Sequence, residues 1–161
     1  MAIYNLDAIL NRYCDDFLIL EFNHLFISSS IREEVWLLQR RADPALVEKI
    51  MRAAEEFGIY DVNPDKDFDT YSGGQKAILG CLLTLAVIRS QKIHGLKLLL
   101  NNVLDSLSDD NRLKLFSKFE EMRLTHDIRL YTNKKDRIQE IFWRDENKKR
   151  HISFRKAGPE L

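Results

Sequence analysis

A chain of 161 residues and 19.0 kDa suits one domain and leaves little room for two. Its 45% hydrophobic and 31% charged content, with three prolines and six glycines, is globular and excludes a disordered or fibrous chain. The formal net charge of zero hides 8 Lys/Arg against 14 Asp/Glu in residues 1–80 and 17 against 11 in residues 81–161. The basic half lacks interleaved aromatics, so no nucleic-acid partner is expected.

In chain order, Leu6, Ile9, Leu10 and Tyr13 recur at helical spacing, and the apolar run Phe17 to Phe22 reads as a buried strand. Ser30 before Glu33 has the form of a capping box, starting a helix at Ile31 that runs through Arg41 on Ile31, Val35 and Leu38. Asp43 and Pro44 open a second helix, with Leu46, Ile50, Ala54 and Phe57 inward and Gly58 as its stop. Residues 59–71 form a loop around Pro64, leading to a helix whose stretch Ala77 to Ile88 is apolar enough to be buried on most sides. A strand follows at Leu96 to Leu100. Ser108 caps a helix with Leu113, Phe116, Phe119 and Met122 inward, and Ile128 to Thr132 is the next strand. Ile138 to Trp143 and Arg150 to Phe154 flank a polar DENKK turn, as a hairpin does. The fold class expected is therefore α/β, a mostly parallel sheet with a helical subdomain at about residues 30–92 and a C-terminal β-hairpin, in one domain over residues 1–161.

No apolar run approaches the roughly 20 residues of a membrane span, and the N-terminus carries no basic-then-apolar targeting pattern. No membrane insertion is expected, and the cytoplasm is the default location. Cys14 and Cys81 are too few for a disulfide framework, and no Cys/His pair has metal-ligand spacing. Both read as buried thiols, with no metal site.

Ser72, Gly73, Gly74 and Gln75 carry most of the chemical information. A serine cap, two glycines that admit a close ligand and the free N–H groups of a helix start together make an anion site, with phosphate the natural ligand. The competing reading is an ordinary capping box from Ser72 to Gln75, with glycines that serve only the turn.

With Tyr71 these residues spell YSGGQ, which resembles the LSGGQ signature of ABC-type ATPases, and the resemblance extends from about Asn5 to Phe154. LFISSSIREEV, Leu25 to Val35, is similar to the stretch after that family's Q-loop, which puts Asn23 at the Q-loop glutamine. LKLLLNNVLDSLS, Leu96 to Ser108, resembles a Walker B strand with its D-loop. Asn101 and Asn102 stand in place of two acids, and Asp105, Ser106, Leu107 and Ser108 in place of the D-loop sequence. Asn133 ends the strand where the switch histidine would stand, and His126 lies seven residues too early.

The resemblance implies a truncated P-loop NTPase-like fold whose chemistry has been lost. The first glycine is Gly58, so no glycine-rich phosphate cradle precedes Asn23 in this chain. Amides at Asn101 and Asn102 remove the charge that holds magnesium and the base that polarises water. No catalytic residue is expected, nor any cofactor in isolation, with ATP and magnesium entering only in a composite site. The signature of that family acts in trans on ATP held by a partner. The expected protein is thus a catalytically degenerate binding or regulatory module whose Ser72–Gln75 contacts phosphate on a second copy or on a Walker A-bearing ABC-type subunit. The alternatives are an ATPase subunit completed by such a partner, and a structural dimer without a nucleotide role. The family's helical subdomain also implies contact with membrane subunits. Loss of the family's N-terminal part further implies a bare apolar sheet face and therefore self-association.

Overall fold

The structure is a computed structural model describing residues 13–14, 17–134, 137–146 and 149–156. Leu6, Ile9 and Leu10, and the side chain of Cys14, lie outside the described residues. Tyr13, the last of that helical series, belongs to a short strand.

Among the described residues, six strands and four helices make an α/β fold. Strand β1 (Tyr13–Cys14) precedes β2 (Phe17–Glu21), after which come α1 (Ile31–Gln39), α2 (Pro44–Glu55) and α3 (Gly73–Ser90). Then follow β3 (Lys97–Asn101), α4 (Asp109–His126), β4 (Arg129–Lys134), β5 (Arg137–Glu146) and β6 (Lys149–Lys156). The strands are ordered in space as in sequence. The parallel pairing expected from alternating strands and helices holds at the centre, β2 with β3 and β3 with β4, in the register Leu18↔Leu98↔Leu130. Both outer parts are antiparallel, so the sheet is mixed. The expected C-terminal hairpin is β5 with β6, and its turn at residues 147–148 lies outside the described residues.

Two parallel crossovers stepping in one direction put their helices on one face of the sheet, as the general preference for right-handed connections requires. The core agrees. Leu18, Leu20, Leu98, Leu100, Leu130 and Ile141 join the inner faces of all four helices in one cluster. Trp143 adds an anchor, its indole N–H donating to the Phe116 carbonyl at 3.2 Å.

Local signals explain the helix limits. Ser30 caps α1 by accepting from the Glu33 N–H, but the box is not reciprocal, because the Glu33 carboxylate turns to the N–H and hydroxyl of Ser29. Helix α1 stops two residues short of Arg41, with Arg40 in the left-handed region at φ 58°. Asp43 caps α2 through the Leu46 N–H with Pro44 in the first turn, and Gly58 turns the chain at φ 80° beyond the helix end. Helix α3 is buried along most of its length, from Ala77 to Leu83 and again at Leu85, Val87 and Ile88. In α4 the inward residues are Leu115, Phe116, Phe119 and Met122. Leu113, expected inward, is 49% exposed because it lies about 130° around the helix from the centre of that face.

The other sheet face carries Phe17, Leu99 and Tyr131, with Ile19 and Ile138 beside them. The bare apolar surface expected here is not found at its centre, since these three residues are 3–7% exposed. Phe17 and Tyr131 meet edge to face at 5.0 Å, and the Lys97 ammonium stands 5.8 Å from the Phe17 ring centre. Burial, followed by the Glu140 carboxylate, pushes the Tyr131 phenol above its ordinary value, although Arg129 opposes the shift.

Candidate functional site

The residues singled out by the sequence gather where the parallel strands end, the edge at which open α/β sheets bind ligands. Asn101 closes β3, opposite Glu21 at the end of β2. Asn133 lies one residue beyond Thr132, the partner of Leu100, and so stands level with Asn101 on the next strand. Asn23 is exposed in the one-turn 3-10 helix Phe22–His24 that follows β2.

Glu21 is the residue that sequence reasoning missed. Its carboxylate accepts a hydrogen bond from the Asn101 amide, so an acid stands beside the position where the resemblance shows only amides. A signal was present: Glu21 is the one charged residue in the run FLILEF. Asn102 follows with φ 59°, a left-handed conformation that asparagine tolerates better than most residues, which gives it a backbone role.

The tip of α3 stands at the same edge. Ser72 accepts from the Gln75 N–H at 3.2 Å, and the Gln75 side chain accepts from the Ser72 N–H at 3.0 Å, completing the capping box. The N–H groups of Gly73 and Gly74 have no acceptor among the described residues, as first-turn donors of a helix do not unless a ligand supplies one. Both glycines also fill tight places. A Cβ on Gly74 would lie 2.9 Å from the Ser106 carbonyl oxygen, and one on Gly73 would lie 3.3 Å from the Phe22 ring. The start of α3 is therefore seated between the turn after β2 and the turn after β3.

Tyr71 is buried and locks the loop before this tip. Its hydroxyl accepts from the Asn63 N–H at 3.2 Å, and the Lys66 ammonium stands 4.2 Å above its ring. A cavity of about 240 Å³ opens beside the tip, lined by Phe22, Asn23, Ser28, Asp69 and Lys76 among others.

The D-loop positions hold the chain together locally. Ser106 donates its hydroxyl to the Val103 carbonyl, Leu107 is buried, Ser108 caps α4 through the Asn111 N–H, and Asp105 is exposed. His126 is at the opposite end of the sheet. Its carbonyl accepts from the Gly95 N–H ahead of β3, and its ring stacks on His94 at 4.9 Å. Burial, His94 and Arg89 hold its pKa below the ordinary imidazole value.

A second acid hidden from the sequence reading is Glu34, 2% exposed in α1. It accepts from the N–H groups of Ile27 and Ser28 and from the Ser28 hydroxyl at 2.9–3.1 Å, fixing the loop between β2 and α1. Cys81 is fully buried in α3, and that burial pushes its thiol up to about 12.

The donor set at the strand edge does not fit a magnesium ion. One carboxylate, already bonded to an amide, stands among neutral asparagines, whereas Mg²⁺ is held through anionic oxygens. Among the described residues no three His, Cys, Asp or Glu side chains converge as a metal shell would require, and no helix is long and apolar enough to cross a membrane. The sequence matches no protein-family model, and no curated protein is similar enough to it to count as a relative.

Proposed function

We propose that this chain is a catalytically degenerate member of the ABC-ATPase type, a binding or regulatory module that offers the tip of α3 to a nucleotide phosphate held elsewhere. The observation carrying this reading is the pair of N–H donors at Gly73 and Gly74. Among the described residues they have no acceptor, at a capped helix start beside Asn101, Asn102 and Asn133. The phosphate cradle and the metal-binding charge must come from outside residues 1–161, supplied by a second copy or by a Walker A-bearing subunit. On this reading the chain does not hydrolyse ATP by itself, since Asn101 and Asn102 stand where the resembled family carries acids.

A second reading has its own support. The capping box is complete and Gly74 is demanded by packing against the Ser106 carbonyl, so the YSGGQ sequence is also what an internally braced helix start requires. On that reading the chain is a structural module with no nucleotide role.

Calorimetry separates the two. The purified chain is titrated with Mg-ATP alone, and then together with a Walker A-bearing ABC-type subunit from the same source. Under the first reading, ATP heat is absent alone, appears as ATP-dependent association with the subunit, and is abolished by Ser72→Arg. ATP-independent association, or none, supports the structural reading. Magnesium-dependent turnover by the chain alone overturns both.

A further inference from the structure

A groove of about 410 Å³ runs between α2 and the α3–α4 pair, far from the strand edge and in the range of small-molecule sites, roughly 300–1,000 Å³. Three alanines account for it. Ala45 and Ala53 on α2 and Ala86 on α3 line the groove at positions where a longer side chain would occupy it. Below them Leu46, Ile50, Leu82, Leu85 and Met122 form a floor that belongs to the main core.

The mouth of this groove is cationic. Arg89, in the last turn of α3, directs its guanidinium to the sulfur of Met122 at 3.5 Å and has no carboxylate partner among the described residues. Lys49 also lines the groove without a carboxylate partner among them. Lys118 is held by Glu56 at 2.8 Å. Of the two acids present, Asp43 is taken up by the α2 cap and by Arg41, leaving Glu121 alone against Arg89 and Lys49. Arg89 also acts on the neighbouring His126, adding to the burial and the His94 charge that lower that imidazole's pKa. The charge at the mouth is thus positive and incompletely compensated, above an apolar floor.

We propose that the groove between α2, α3 and α4 binds a small carboxylate-bearing amphiphile, with its head on Arg89 and its hydrocarbon body over the alanine-lined floor. The planar fork of a guanidinium matches a carboxylate with two parallel N–H bonds, which a thioether cannot receive. Covering Leu46, Ile50, Leu82 and Leu85 with the hydrocarbon removes apolar surface of both ligand and floor from water. The site stands apart from the α3 tip, so it holds or fails independently of any nucleotide role.

The test is calorimetric titration of the full chain with decanoate below its micelle concentration, with decan-1-ol and decyltrimethylammonium as comparisons. Decanoate is expected to bind at one per chain and the cation not to bind. Arg89→Gln, a change at an exposed side chain, is expected to weaken decanoate about tenfold or more while leaving decanol unchanged. Ala86→Leu fills the groove and weakens both. If circular dichroism shows that this variant has lost its fold, Ala45→Leu on the exposed rim replaces it. Absence of decanoate binding to millimolar concentration, equal binding of the cation, or decanoate binding indifferent to Arg89→Gln overturns the proposal.

Discussion

The Asn101 amide donates a hydrogen bond to the carboxylate of Glu21, its register partner across the parallel pairing of β2 and β3. Asn101→Asp, which restores the acid of the resembled family, therefore places two carboxylates side by side. Like charges in contact repel, which destabilises the variant at neutral pH. A loss of about 1–3 kcal/mol at pH 7 is expected from urea denaturation. The double change Glu21→Gln with Asn101→Asp is expected to recover most of it.

Gly74→Ala is expected to destabilise the protein by about 1–3 kcal/mol, because its methyl would meet the Ser106 carbonyl oxygen at 2.9 Å and backbone cannot step aside cheaply. Gly73→Ala meets only the edge of the Phe22 ring at 3.3 Å and is expected to stay within about 0.5 kcal/mol of the parent. Denaturant midpoints of the two variants, measured side by side, check the order. Equal and neutral midpoints would mean that packing makes no demand for glycine at either position.

Glu34→Gln keeps the shape of the side chain and removes the charge that three donors share. Charge-assisted bonds are roughly twice as strong as neutral ones. The expected loss is about 1.5–3 kcal/mol. Hydrogen exchange at the Ile27 and Ser28 amides is expected to accelerate more than exchange in the α3 core, which distinguishes loosening of this loop from a global effect.

Cys81 is expected to resist thiol reagents at pH 8 in the folded protein, since burial holds its thiol up near about 12 and no thiolate is present to react. In a Cys14→Ser background, modification should proceed only as fast as the chain opens, and at once in denaturant. Rapid stoichiometric labelling under native conditions would contradict the packing of α3.

His126 is expected to titrate below free imidazole in an NMR pH series, because burial, His94 and Arg89 all disfavour its charged form. The folded value lies below the unfolded one, so its contribution to stability is complete above about pH 6.5 and is lost as pH falls through that range. Arg89→Gln removes one of the opposing charges and is expected to raise the midpoint.

Much of the architecture was readable from local chemistry. Asp43 with Pro44, Ser72 with Gln75, and Ser108 each fixed a helix start because a side-chain oxygen must satisfy the first N–H groups. Strands β2 and β3 were readable as the short apolar runs Phe17 to Phe22 and Leu96 to Leu100. What stayed hidden depended on partners distant in sequence. Glu33 looked like the closing half of a capping box until Ser29 took its carboxylate, and Leu113 fitted the spacing of α4 but falls off the face that meets the sheet. Glu21 gave the same lesson at the candidate site. A lone acid in an apolar run reads as an interruption, and only the register with β3 shows that it meets Asn101. The outer pairings are antiparallel because those neighbouring strands are only two residues apart in sequence, too close for a parallel crossover.

Because the strands lie in space in the same sequence as along the chain, each one joins an edge that already exists when it arrives. A polypeptide leaving the ribosome could assemble this sheet by accretion, from β1 onward, without holding a gap open for a later segment. The long excursion through α1, α2 and α3 is the single step that delays closure, since β3 must wait for about 75 residues after β2. The final hairpin, by contrast, folds against β4 through contacts between close neighbours in the chain.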